Sequence, residues 1–129
     1  MARTQDNPEL EAWALYSTAM ITDDPARARA ALLRVRHLAT EIDARPILRA
    51  SIDEGLARVV LDEGEYVVAR QIAQDLADSD DRVTWMTGLS SLACASLALG
   101  DRPAARAALA RNLVDGCPAS CEHTFRISV

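Results

Sequence analysis

The sequence predicts an all-α fold, an α-solenoid of three antiparallel helix pairs (about six helices) with a short C-terminal tail. A motif that starts at Gly64 recurs 36 residues later at Gly100, and in each copy an alanine follows five positions on. Helix-start signals recur along the chain, and no stretch alternates with the two-residue period of a strand. A recurrence of this length is typical of stacked helical hairpins, each of which buries its apolar face only against its neighbours.

The helix starts are marked by capping side chains, by first-turn prolines or by both. These signals lie at Asn7-Pro8, Asp24-Pro25, Pro46, Ser79-Asp80-Asp81 and Asp101-Arg102-Pro103. They divide the chain into predicted helices at 8–21, 25–40, 46–62, 65–77, 81–99 and 102–114. The helical domain is therefore placed at 1–114 and the tail at 115–129.

Apolar residues inside the predicted helices recur at three- and four-residue steps, which gives each helix one buried face. Examples are Ala28, Leu32, Val35 and Ala39 in the second helix, and Ile52, Leu56 and Val59 in the third. The connections are short, so consecutive helices are expected to pack as antiparallel neighbours.

Composition narrows the functional classes. The chain has 129 residues, a net charge of −5 and a pI near 4.9, and this balance argues against nucleic-acid binding, which needs a basic face. Because no signal-peptide core or membrane-length apolar run is seen, we expect a cytoplasmic protein without a membrane partner. Three cysteines are an odd number, so a secreted disulfide framework is not expected.

The repeating residues resemble the tetratricopeptide repeat, a 34-residue helix–turn–helix unit. The best copy places Leu56 and Ala57 in its first helix, Gly64 and Tyr66 at its turn, and Ala69 in its second helix. Another copy has Leu92, Ala93, Gly100, Ala105 and Leu109, and the first has Leu15, Tyr16, Ala28 and Leu32, with Asp23 at the glycine position. These residues serve packing in the family, so the resemblance implies a scaffold and no chemistry.

The resemblance implies a concave surface formed by the first helix of each pair. Its register gives the candidate partner-binding groove, which comprises Trp13, Ser17, Glu54, Arg58, Ser90 and Cys94. Glu54 and Arg58 are four residues apart, so they form either a solvated surface pair or a clamp for a peptide. Trp13 is either an aromatic anchor for a ligand or a core residue of the first hairpin.

The sequence offers little for catalysis, metal binding or cofactors. The two histidines stand in no nucleophile or metal motif, the glycines are scattered singly, and adjacent acids fall at helix ends. We therefore expect no enzyme and no cofactor. Cys117, Cys121 and His123 are close together in the tail, which leaves metal binding, a reversible disulfide and inert thiols as alternatives. Arg27 and Arg34 are expected on one side of the second helix, and Arg29 and Arg36 on the other.

These observations favour a non-enzymatic protein–protein interaction module (adaptor, chaperone-like or regulatory) that binds a peptide or helix in the groove. Two alternatives remain, a small-molecule sensor and a self-assembling structural module. The last hairpin has no long capping helix after it, so either Phe125 and Ile127 fold back over it or another subunit covers it, as in a homodimer.

Overall fold

The computed structural model describes residues 7–116, and within them the chain is all-helical with six α-helices. They are α1 (Pro8–Met20), α2 (Pro25–Glu41), α3 (Pro46–Asp62), α4 (Tyr66–Ala77), α5 (Arg82–Ala98) and α6 (Arg102–Gly116). The prediction of an all-α hairpin fold is confirmed, and every predicted helix boundary lies within two residues of the observed one.

The predicted caps account for four of the helix starts. Asn7, Asp24, Asp81 and Asp101 each accept a hydrogen bond from a backbone N–H two or three residues ahead, at 3.0 to 3.1 Å. These bonds satisfy first-turn N–H groups that have no partner within the helix. At the start of α3, Pro46 presets the helical φ angle instead, and no side chain caps it.

Three helices end in the same left-handed turn. After α3, Gly64 has φ of 86°, and its N–H and that of Glu65 donate back to carbonyls of the last helical turn. The same pattern recurs after α5 at Gly100 and after α2 at Asp43, which has φ of 52°. Asp23, the residue at the glycine position in the first copy, is not left-handed, so the first hairpin turns differently from the other two.

Each helix packs against the next one along the chain, and among the odd-numbered helices α3 also contacts both α1 and α5. Within the described residues, α2 does not contact α4, and α4 does not contact α6. The odd-numbered helices therefore line one side of the molecule together, while the even-numbered helices splay apart on the other side. This asymmetry curves a helical-hairpin stack around its odd-numbered face.

The core is built from small aliphatic side chains. Leu32, Leu48 and Ile52 are fully buried in the cluster shared by α1, α2 and α3, and Leu89 is fully buried between α5 and its neighbours. Burying a side chain of this size contributes about 1.5–3 kcal/mol. No helix among residues 7–116 is long and apolar enough to cross a membrane.

Candidate functional site: a groove between α3 and α5

A groove with a volume of about 230 Å³ lies between α3 and α5, with α4 behind it. Its floor is apolar and consists of Ala57, Leu61, Ala69 and Ala95. Because three of these four side chains are alanines, the shape of the floor is set mainly by the helix backbones.

Helical spacing places the groove residues in two facing rows. On α3, Glu54, Arg58 and Leu61 follow one another at steps of four and three residues, so they share one face of the helix. On α5, Ser90 and Cys94 are four residues apart and face them. Four of the six predicted groove residues, Glu54, Arg58, Ser90 and Cys94, therefore line one pocket.

The α3 wall carries an ion pair. The Arg58 guanidinium donates to the Glu54 carboxylate at 2.5 Å, with the Glu54 side chain 24% exposed and that of Arg58 58% exposed. Tyr16 of α1 lies near this pair: burial raises the pKa of its hydroxyl, the Glu54 charge raises it further and the Arg58 charge lowers it. Tyr16 was not among the predicted groove residues, because its nearness to α3 depends on how α1 and α3 pack.

The α5 wall is polar and is tied to the last helix. Ser90 Oγ accepts a hydrogen bond from Asn112 Nδ2 of α6 at 2.8 Å, and the same amide group lies 3.4 Å from the Met86 carbonyl oxygen. Cys94 has an exposed free thiol. No local signal in the sequence marks Asn112, since its role depends on the antiparallel alignment of α5 with α6.

The two remaining predicted groove residues, both on α1, do not line this pocket. Trp13 is partly buried and packs against the first core cluster, with its ring edge-on to Tyr16 at 5.8 Å between centroids. This position favours the core interpretation of Trp13 over that of a ligand anchor. Ser17 is exposed on α1.

The arginines of α2 face two directions. Arg29 pairs with Glu63 and Glu65 at the turn after α3, and Arg36 pairs with Asp53 of α3. Arg27 and Arg34, on the other side of α2, line a second pocket of about 290 Å³ beside α1. Two of these four arginines therefore form ion pairs that join α2 to α3 or to the turn after it.

Outside the groove, residues 7–116 offer few side chains that could bind a metal or take part in catalysis. Among residues 7–116, no group of three or more His, Cys, Asp or Glu side chains could hold a metal ion. His37 lies 3.6 Å from Glu41 on α2, away from the groove. Cys117, Cys121 and His123 lie outside the described residues, so the alternatives for the tail stay predictions.

Comparison of the chain with protein-family models, with curated proteins and with solved structures gave no match. The resemblance to the tetratricopeptide repeat therefore stays a prediction from the residues.

Proposed function

We propose that this protein is a non-enzymatic, tetratricopeptide-like interaction module that binds a peptide or a helix of another protein in the α3–α5 groove. One observation carries the proposal: two facing helices combine an apolar floor with an acid, a base and a hydroxyl at fixed positions on its walls. Such a surface takes up an apolar side chain while its polar groups orient the peptide.

The size of the groove supports a peptide over a small-molecule ligand. Pockets that enclose drug-sized molecules have volumes of roughly 300–1,000 Å³. At about 230 Å³ and open to solvent, this groove matches one or two side chains of a longer ligand. An exposed free thiol at Cys94 suits a reducing compartment, which supports a cytoplasmic location.

The test is a selection of random peptides displayed on phage against the full chain, followed by affinity measurements on the enriched peptides. Cys94→Trp, which fills the groove from an exposed position, is expected to weaken binding by at least about tenfold. Gln74→Trp adds the same bulk at an exposed site on α4, outside the pocket, and is expected to leave affinity unchanged.

A second variant tests the charged α3 wall. In Glu54→Arg/Arg58→Glu the two charges exchange places, so the pair within α3 is kept while its polarity is reversed. Peptides selected on the native protein should bind this variant about tenfold or more weakly, since charged hydrogen bonds contribute about 1.5–3 kcal/mol each. If no peptide is enriched, or if enriched peptides bind Cys94→Trp as tightly as the native protein, the groove is not the binding surface.

A further inference from the structure

We propose that the second pocket, between α1 and α2, is a separate docking site for an acidic amphipathic helix of another protein. This α1–α2 pocket has a volume of about 290 Å³ and is lined by residues of the α1–α2 hairpin alone. The inference goes beyond the proposed function, because it concerns a different surface and does not require the α3–α5 groove to bind anything.

The floor of the α1–α2 pocket is an apolar surface that no other described helix covers. It is formed by Leu15 and Ala19 of α1 and by Ala31 and Val35 of α2. Leu15 is 45% exposed, although it shares a helix face with the buried Ala19. Among residues 7–116, α1 and α2 contact only each other and α3, and no residue of α3 lines this pocket. The floor is therefore open to an apolar surface of a partner.

The rim of the pocket is positively charged, in a protein whose net charge is −5. Arg27 and Arg34 line it, and both are exposed. Neither has an ion pair within residues 7–116, unlike Arg29 and Arg36 on the other side of α2. No acidic side chain lines the pocket. Guanidinium groups bind carboxylates through paired hydrogen bonds, so this rim favours an acidic partner.

The spacing of Arg27 and Arg34 indicates that the partner is helical. Seven residues of an α-helix advance about 10.5 Å and return to the same face. A helix that lies along α2 therefore presents its own acids at this interval if they are seven residues apart. In an extended strand, residues on one face repeat at about 6.6 or 13 Å, which fits the two arginines less well. Apolar residues between the acids would pack on the floor, in the groove between two helices.

A second copy of the chain does not suit the α1–α2 pocket. A symmetric contact would bring together Arg27 and Arg34 of both copies, and like charges that face each other across an interface oppose association. The last helix, α6, carries three arginines and one acid, Asp115, so an end-to-end contact between copies would also bring basic residues together. An acidic partner meets neither difficulty.

The test is a selection on the full chain from displayed amphipathic peptides of about 18 residues, long enough to be helical in water. Each has a fixed leucine stripe with random residues beside it, and enriched peptides are expected to carry acids seven residues apart. Arg27→Glu/Arg34→Glu should weaken their binding by at least about tenfold, because hydrogen bonds to charged groups are lost. Arg70→Glu/Arg106→Glu makes the same change in net charge at exposed arginines outside the pocket. This control should leave affinity unchanged at about 0.15 M salt, which screens distant charges.

The apolar floor is tested separately by Thr18→Trp. Thr18 is exposed and lines the pocket, so an indole ring at this position fills the pocket while both arginines are kept. The enriched peptides should bind this variant at least about tenfold more weakly. Gln74→Trp adds the same bulk on α4, outside this pocket, and should not change affinity. Circular dichroism and thermal melting check that all variants fold like the native protein.

A selection that enriches no peptide, or only peptides without acids seven residues apart, would overturn the proposal. Equal binding to the native protein and to Arg27→Glu/Arg34→Glu would also overturn it. Peptides that lose affinity for Cys94→Trp instead bind the α3–α5 groove, which overturns this inference and supports the proposed function. Arginine-dependent binding to vesicles of phosphatidylserine and phosphatidylcholine, with no enriched peptide, would assign the rim to a lipid surface and overturn it as well. If the acidic helices bind as expected and no peptide binds the α3–α5 groove, only the proposed function fails.

Discussion

Gly88 of α5 lies directly against the backbone of Ala77, the last residue of α4. A Cβ atom added at Gly88 would stand 2.2 Å from the Ala77 nitrogen, far inside any allowed contact. The absence of a side chain at this position therefore sets how closely α4 and α5 approach, and through α5 it sets the position of the groove's polar wall.

Gly88→Ala is expected to lower the free energy of unfolding by about 2 kcal/mol, because helix backbones must separate to admit the methyl group. Gly55→Ala is the matched control within a helix. Its Cβ would meet the end of the Met20 side chain at 2.9 Å, which can rotate away, and alanine is the better helix former. Urea denaturation of both variants checks the pair, and equal stabilities would contradict the close approach at Gly88.

Gly64→Ala is expected to lower the free energy of unfolding by about 1 kcal/mol, although nothing lies within 4 Å of the new methyl group. The loss of stability comes from the left-handed φ of 86°, which disfavours every residue with a Cβ. Gly64→Asn should lower stability less, since asparagine tolerates this conformation better. Thermal melting of the two variants tests the order, and an alanine variant as stable as the native protein would contradict it.

Ser96 is a buried polar residue whose hydroxyl has no hydrogen-bond partner within the described structure. Ser96→Ala is expected to raise stability by about 1 kcal/mol, because it removes a desolvated hydroxyl that gains nothing in return. Ser51→Ala is the control, since the Ser51 hydroxyl donates to the Ile47 carbonyl at 2.8 Å, and this change should not stabilise. Differential scanning calorimetry distinguishes the two outcomes, and a Ser96→Ala protein that melts lower would be the contrary result.

Asp53 gives the fold a pH dependence. Burial raises the pKa of its carboxyl group and the charge of Asp75 raises it further, while Arg36 and Arg49 oppose the shift. The folded state therefore favours the protonated form of Asp53. The stability that this form contributes is present at low pH and is lost as pH rises through the raised pKa. Asp53→Asn is expected to be more stable than the native protein at pH 7, with the difference disappearing below the usual carboxyl range.

The pKa of Glu9 is shifted in the opposite direction to that of Asp53, so Glu9 serves as the control. Hydrogen bonds from the side chain and then the backbone N–H of Arg45 lower the pKa of its carboxyl group, so its contribution is present at neutral pH and lost as pH falls through the lowered pKa. Glu9→Gln should therefore be less stable than the native protein at pH 7. Denaturation curves measured from pH 3 to pH 7 test both variants. If the stability of the two variants relative to the native protein changed with pH in the same direction, the opposite pKa shifts of Asp53 and Glu9 would be contradicted.

The helix starts were predictable because their signals act over a single turn. An Asx side chain before a first-turn residue, or a proline such as Pro46, biases the few φ and ψ angles next to it. The turns at Gly64 and Gly100 were predictable for the same reason. The left-handed conformation of Asp43 was not, since an aspartate gives only a weak preference for it.

The candidate groove was predictable in part. Glu54 and Arg58 form a pair within α3, so their spacing alone indicates the contact. Trp13 and Ser17 were assigned to the groove by register, but the pocket lies between α3 and α5 and does not extend to them. Tyr16 lies near the pair, and this could not be foreseen because it depends on the packing of α1 against α3.

The sequence by itself determined the helices, their order and their antiparallel pairing, because capping, proline geometry and apolar spacing are local and the connections are short. The tertiary structure alone decided which side chains face one another across the groove. The Asn112–Ser90 hydrogen bond joins residues 22 positions apart, and the approach of Gly88 to Ala77 depends on how two helices cross. Both depend on distances between helices, which arise from packing the whole core at once.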